Sequence, residues 1–271
     1  MTAKHQNISE ELKAKWNKLN DYLKKHASLV VAYSGGVDST FLLKTAHALN
    51  PSFVKGLIAK SASLSEREYK QAITVARKHQ LPIETIDTTE LENSGYIKND
   101  QDRCYYCKSD LFTHLIEYAN KNNIQYIADG TNADDIKGHR PGHRAAREKN
   151  ILSPLLENNL SKEDIRNLSK MLNLETHEKP AMACLASRIS TGHTISENNL
   201  RMVEKAEEIL FQLGFHHFRV RYHENGGLAR IELNPDEFEK VFSSETRVKI
   251  YNEIKKIGFS YVTLDIIGYT S

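Results

Sequence analysis

Leu29-Val30-Val31-Ala32-Tyr33-Ser34-Gly35-Gly36-Val37-Asp38-Ser39-Thr40 is the stretch that decides the fold of this chain. Its first five residues form a continuous apolar run that stops at two glycines, the pattern of a strand buried on both faces in a parallel sheet. Phe41–Leu49 follows with helical spacing. A strand, a Ser-Gly-Gly turn and a helix, in that order, make an anion site. Glycines let backbone amides approach an anion closely, successive N–H groups form a concave nest, and the helix N-terminus adds donors and a favourable dipole. Ser34, Ser39 and Thr40 add hydroxyls, while Asp38 beside a phosphate calls for Mg²⁺ or for a part in orienting the loop. The absence of Gly-Lys-Ser/Thr excludes a Walker P-loop, and the absence of GxGxxG leaves a dinucleotide fold without support.

Strands and helices alternate on both sides of this unit. Glu10–His26 is helix-compatible, with Leu12, Trp16, Leu19 and Leu23 three and four apart. Phe53–Ala59 and Pro82–Ile86 read as strands, Ser65–His79 and Leu111–Asn120 as helices, and Ile124–Asp129 as a further buried strand ending at Gly130. The alternation predicts a doubly wound, mainly parallel α/β sheet. Ligands of such sheets sit beyond the strands' carboxyl ends, where the loops after Tyr33 and Ile127 begin. Helical periodicity resumes over 151–174, with Ser161 and the acids Glu163 and Asp164 as its start signal.

From about Ile195 the pattern changes to a helix (Glu197–Leu213), two strands (Phe218–His223 and Leu228–Leu233) around a Glu-Asn-Gly-Gly turn, a helix (Glu245–Ile257) and a last strand (Tyr261–Ile266). The expected organisation is an N-terminal helical segment (1–27), a nucleotide-binding α/β domain (28–194) and a smaller C-terminal α+β domain for substrate or oligomer contacts (195–271).

The length of 271 residues suits that division, since domains run at about 100–200 residues each. A net charge of only +2 gives no whole-protein field for nucleic acid or an anionic membrane. No apolar run approaches the roughly 20 residues a bilayer requires, and the polar N-terminus carries no signal-peptide pattern. With an odd count of three cysteines, these features predict a cytoplasmic chain with reduced thiols.

SGGVDST resembles the signature of the PP-loop ATP pyrophosphatases, the superfamily of GMP synthetase, NAD synthetase, argininosuccinate synthetase and tRNA-thiolating enzymes. Gly130-Thr131-Asn132-Ala133-Asp134-Asp135 resembles its second nucleotide-side motif. The resemblance implies cleavage of ATP between the α and β phosphates, so that the substrate becomes an adenylate and pyrophosphate leaves.

The cysteines fall in two short motifs, Cys104-Tyr105-Tyr106-Cys107 and Pro180–Arg188, which contains Cys184. As buried thiols they would be inert. As a zinc site they need a fourth ligand, from His177 or His193. As an iron–sulfur site, three thiolates hold a [4Fe–4S] cluster and leave one iron open. The spacing is compatible with either metal site. An adenylated carboxylate needs a nucleophile, and a sulfide on the open iron or a Cys184 thiolate is one.

SGGVDST, RCYYCK, GTNADD, the HRPG segment at 139–142, PAMACLASR and the RVRYH and ARIEL pair together resemble the LarE family. That resemblance spans residues 28 to 265. It implies an ATP-dependent sulfur transferase that adenylates pyridinium-3,5-biscarboxylic acid mononucleotide and makes a thiocarboxylate for the nickel-pincer cofactor. In one form of the family, a lone cysteine matching Cys184 gives up its sulfur and becomes dehydroalanine. In the other, three cysteines bind a [4Fe–4S] cluster carrying a labile sulfide; Cys104, Cys107 and Cys184 match this form.

The resemblance further implies ATP and Mg²⁺ at Ser34, Gly35, Gly36, Asp38, Ser39 and Thr40, with the adenine side near Ala59, Ser61, Gly130 and Thr131. Arg219 and Arg221 alternate along one strand and so share a face; they, with Arg188, are the candidates for an anionic substrate because guanidinium donates in parallel pairs. Cys184, Asp38 and Glu207 are the catalytic candidates, and a small-molecule nucleotide and a homo-oligomer are the implied partners. Three alternatives are a tRNA-thiolating relative, an ammonia-using amidotransferase and a non-catalytic nucleotide-binding or sulfur-storage protein. The first lacks a basic, aromatic-interleaved tract and the second lacks a glutaminase domain.

Overall fold

The computed structural model describes residues 8–136, 141–180, 183–224 and 227–270. Parts of HRPG (139–140), of PAMACLASR (181–182) and of the C-terminal turn (225–226) lie outside the described residues. The chain divides into two units, each gathered from separate stretches. The first comprises Met1–Ser61, Glu66–Glu90 and Cys104–Met182; the second comprises Ala62–Ser65, Leu91–Arg103 and Ala183–Ser271.

The first unit is built on a parallel sheet of β1 (Leu29–Ala32), β2 (Val54–Lys60), β3 (Ile83–Asp87) and β4 (Tyr126–Ala128), in the order β3-β2-β1-β4. Leu29, Val30 and Val31 are fully buried, as a strand covered on both faces requires. The chain steps from β1 outward through β2 to β3, then returns to the other side of β1 as β4. Strand order therefore reverses between β1 and β4, and the loops that follow these two neighbours leave the sheet side by side.

Helix α1 (Glu10–Lys25) is capped by Ser9 and buries Leu12, Leu19 and Leu23; its Trp16 ring lies 5.7 Å from Phe41 on α2 (Val37–Leu49). The α-helices that follow as far as residue 171 are α3 (Glu66–Lys78), α4 (Ser94–Ile97), α5 (Arg103–Lys121), α6 (Pro141–Glu148), α7 (Pro154–Glu157) and α8 (Lys162–Met171). Helix α5 starts two turns earlier than the apolar spacing predicts, because its first turns are polar and only Phe112, Leu115 and Ala119 are buried. The periodic stretch 151–174 splits into α7 and α8, with Asn159 between them at φ 54°, a left-handed backbone that ends the first helix.

In the second unit, β5 (Phe218–His223) and β6 (Leu228–Leu233) pair antiparallel, and β7 (Tyr261–Leu264) pairs parallel to β6. Phe218, Val220 and Tyr222 alternate inward against α9 (Glu197–Gln212), and α10 (Phe238–Phe242) and α11 (Ser244–Ile257) complete the α+β layer. Among the described residues no helix is long and apolar enough to cross a membrane.

Candidate active site

The loop after β1 is fixed by its own hydroxyls. Ser39 Oγ accepts from the Ser34 amide at 3.1 Å and lies 3.0 Å from Ser34 Oγ. Gly35 adopts φ 69°, and a Cβ there would lie 2.4 Å from the Ala72 Cβ of α3. Only glycine meets both demands. Tyr33 anchors the same helix by donating to the Ala72 carbonyl at 2.9 Å; burial raises its phenol to about 12. Helix α2 begins at Gly36 with no side chain capping it, so its first amides face the loop's concavity. Ser39 and Thr40 are buried in α2.

The loop after β4 closes on this one. A Cβ on Gly130 would lie 3.1 Å from the Ser39 amide nitrogen and 3.3 Å from the Asp38 Cβ, so a bare glycine lets the two loops touch. Buried Asp129 accepts from the Thr131 amide (3.1 Å), the Thr131 hydroxyl (2.8 Å) and the Ser153 hydroxyl (2.9 Å). Asn132 and Asp135 fold the acidic turn back on itself, and Asp134 accepts from the Lys162 amide at 2.8 Å. At the end of β2, Ala59 and Ser61 are half-buried, and Ser61 donates to buried Glu90.

Two lysines that the motifs do not contain converge on the phosphate loop. Lys162, at the start of α8, donates to Asp38 Oδ2 at 2.5 Å. Burial pushes the Asp38 carboxyl up and Lys162 only partly offsets this; Oδ1 is buried without a hydrogen-bond partner among the described residues. An oxygen in that condition fits a cation such as Mg²⁺. Lys179 donates to the Gly35 carbonyl at 3.1 Å, and burial holds its ammonium below the ordinary lysine value while Glu68 opposes. A half-buried ammonium beside a glycine-rich nest suits an anion.

None of the three cysteines is in a disulfide; Cys104 and Cys184 are exposed and Cys107 is half-buried. Cys104 and Cys107 occupy one face of the first turn of α5, three residues apart. Cys184 belongs to the second unit. Among the described residues, no group of three or more His, Cys, Asp or Glu is arranged to hold a metal ion.

Around Cys184 the second unit is densely cross-linked. Arg188 is 5% exposed and donates from Nε to Glu207 Oε1 at 2.8 Å and from Nη1 to the carbonyls of Ala183 (2.6 Å) and Cys184 (3.2 Å). Glu207 also accepts from the Val220 amide of β5 at 3.1 Å. Arg221 donates to Glu232 (2.9 Å) and to the Ser187 carbonyl (2.8 Å), and Arg219 to Tyr269 (2.9 Å) and the Thr270 carbonyl (3.0 Å). Sequence spacing gives no signal for the other brace: buried Asn99 donates to the carbonyls of Ile189, Ser190 and His193, and Arg103 to that of Ala186. Arg188, Arg219 and Arg221 thus come into one unit with Cys184 and Glu207, each already bonded within the fold.

An uncapped glycine loop at the reversal point of a parallel sheet, pressed against an acidic second loop, defines an ATP-dependent enzyme of the PP-loop class. Residues 11–129 match the NAD synthase family. The chain is 36% identical over 260 residues to an uncharacterized protein of Synechocystis sp., with 96% of each chain covered. It is 32% identical over 250 residues to the pyridinium-3,5-bisthiocarboxylic acid mononucleotide synthase of Lactiplantibacillus plantarum, covering 92% of this chain and 89% of that one. It is 33% identical over 257 residues to an uncharacterized protein of Methanocaldococcus jannaschii, covering 94% and 96%. The chain belongs to the LarE family of PP-loop, ATP-dependent sulfur transferases. Members of that class use ATP with Mg²⁺.

Proposed function

We propose that this enzyme adenylates a carboxylate of pyridinium-3,5-biscarboxylic acid mononucleotide, releases pyrophosphate, and replaces AMP by sulfur to leave a thiocarboxylate for nickel-pincer cofactor synthesis. The observation that carries this reading is the touching pair of loops, with Gly130 against Asp38 and Ser39. In it, Ser34, Gly35, Gly36, Ser39 and Thr40 form the phosphate seat, and Asp38 takes Mg²⁺ through its unpartnered Oδ1. Ala59, Ser61, Gly130 and Thr131 flank the adenosine. Lys179 joins the set, because its ammonium already faces the loop and donates to Gly35. Preorganised donors of this kind act on charge as it develops on the departing pyrophosphate.

Sulfur delivery falls to the cysteines. The reading assigns a [4Fe–4S] cluster to Cys104, Cys107 and Cys184, whose donor chemistry fits: none of the three is in a disulfide and two of them share a helix face. When bound, such a cluster supplies a labile sulfide on its open iron. Arg188, expected from the sequence to meet the acceptor, is buried against Glu207 and instead holds the Cys184 backbone, which leaves the half-buried Arg219 and Arg221 to face the anionic acceptor. A cytoplasmic location and a homo-oligomeric state belong to the same reading.

Anaerobic turnover with ATP and the dicarboxylate mononucleotide tests it. The expected result is AMP, pyrophosphate and thiocarboxylate in equal amounts, with Cys184 at unchanged mass. Loss of the mass of H₂S from Cys184 would replace the cluster route by self-sacrifice, and absence of pyrophosphate would remove the acceptor.

A further inference from the structure

Lys179, which donates to the phosphate loop, is itself held by a residue that no motif contains. It leaves a 3₁₀ turn (Glu175–Glu178) and precedes Pro180, so its backbone is extended, at φ −61° and ψ 126°. In a 3₁₀ turn the His177 carbonyl would accept from the amide three residues on, but that residue is Pro180 and has no N–H. Half-buried Arg166 of α8 takes its place. It donates from Nη1 to the His177 carbonyl and from Nη2 to the Lys179 carbonyl, the latter at 2.9 Å. The planar fork of one guanidinium thus grips both carbonyls of a three-residue stretch.

The surroundings of the clamp are firm. Helix α8 is fixed at its start by the capping box of Ser161 and Asp164, and Asp164 accepts from Lys15 of α1 at 2.8 Å. The head of the 3₁₀ turn is tied through Glu175 to His79 Nε2 at 2.5 Å. Arg166 stands one turn after Lys162, so the two cations share a face of α8 and would repel on a bare helix. Each is instead matched to oxygens of a different segment, Lys162 to the Asp38 side chain and Arg166 to the backbone at 177 and 179. A lysine side chain is a flexible four-carbon stem, so its reach to Gly35 depends on where its Cα is held. One proton of the Lys179 ammonium goes to the Gly35 carbonyl. It makes no other hydrogen bond among the described residues, which leaves two protons for an anion.

We propose that Arg166 is a positioning residue for ATP: by clamping the His177 and Lys179 carbonyls it holds the Lys179 ammonium on the phosphate loop. Helix α8 then brings two cations to that loop, Lys162 directly and Lys179 through the backbone. This rests on the phosphate seat given to residues 34–40 and Lys179 under Proposed function, and adds the element that sets its geometry.

The experiment is calorimetric binding of α,β-methylene-ATP with Mg²⁺ to the full chain, in double-mutant cycles. Arg166→Ala is expected to weaken the analogue about ten-fold, the loss of one charge-assisted contact, although Arg166 lies outside the phosphate seat. Because Arg166 acts through Lys179, combining Arg166→Ala with Lys179→Met should bind no more weakly than Lys179→Met alone. Combined with Lys162→Ala, it should show both losses in full. Arg166→Lys keeps a cation without the fork and should recover part of the affinity; it carries the same cycles if the alanine variant does not fold. Additive losses with Lys179→Met overturn the proposal, as does wild-type affinity in Arg166→Ala, and both leave the phosphate seat intact. Coupling to Lys162→Ala as strong as to Lys179→Met overturns it by making Arg166 a support of α8 as a whole. Wild-type affinity in Lys179→Met takes Lys179 out of the seat and the proposal with it. A wild-type chain that does not bind the analogue removes the seat itself.

Discussion

Lys179 donates its ammonium proton to the Gly35 carbonyl, joining positions 144 residues apart across 3.1 Å. Burial lowers its proton affinity, and an anion bound beside it would raise it again. ATP affinity is therefore expected to fall as pH rises through the depressed Lys179 value, earlier than an ordinary lysine with a value of about 10.4 allows. Lys179→Met should bind ATP roughly ten-fold more weakly at neutral pH and lose this alkaline limb. A titration of ATP affinity against pH in both proteins decides it; parallel curves would remove Lys179 from the site.

Gly35→Ala meets two obstacles at once. Its φ of 69° is a left-handed backbone, costing a side chain about 1–2 kcal/mol, and the new methyl lies 2.4 Å from Ala72 Cβ. Overpacking adds about 1–3 kcal/mol. Gly130→Ala has only the 3.1 Å approach to the Ser39 amide to relieve. Denaturant unfolding should rank Gly35→Ala well below Gly130→Ala, and ATP binding should suffer in both.

Removing Lys162 leaves the Asp38 carboxylate buried without its cation. The pair retains some solvent contact, so a loss of about 1–2 kcal/mol at neutral pH is expected. The sign with pH follows from the raised Asp38 value. A carboxyl raised on folding destabilises the protein when ionised, and that penalty disappears as pH falls below the unfolded value. The deficit of Lys162→Ala should therefore shrink on acidification, and Asp38→Asn should abolish most of it. A deficit constant from pH 4 to 8 would count against the pairing.

Serine at Cys104, Cys107 or Cys184 should stop thiocarboxylate formation while leaving adenylation measurable by pyrophosphate release, since the phosphate loop uses none of the three. Iron content after anaerobic reconstitution should fall in every variant. Full activity of Cys104→Ser, with a mass loss at Cys184, would point to the cysteine's own sulfur.

Glu207 and Arg188 are both nearly sealed from solvent, at 7% and 6% side-chain exposure. Glu207→Ala strands a buried guanidinium and should cost about 3–5 kcal/mol. Glu207→Gln keeps an oxygen for the Val220 amide and should cost less. Because Arg188 also holds the Ala183 and Cys184 carbonyls, proteolysis near residue 184 should quicken in the alanine variant before global unfolding does.

The parallel sheet was legible because β1 announces itself: a continuous apolar run is what two covered faces select. Helix α5 was only half legible. Its buried residues are Phe112, Leu115 and Ala119, while the turns carrying Cys104 and Cys107 are polar and give no amphipathic stripe. The alternation of Arg219 and Arg221 was visible, but their partners Tyr269 and Glu232 were not, since strand pairing and the returning C-terminus supply them.

By itself the sequence determined the phosphate loop, because residues 34–40 are contiguous and their chemistry is local: two glycines, two stabilising hydroxyls and a helix start. Tertiary structure alone decided which distant side chains brace that loop and, separately, the segment after Cys184. Lys162 reaches Asp38 across 124 residues, and Asn99 gathers carbonyls 90 to 94 residues away. A single lysine or asparagine carries no periodicity, so nothing in its neighbours marks its role. Its position is set by which apolar faces pack together, and that is a property of the whole fold.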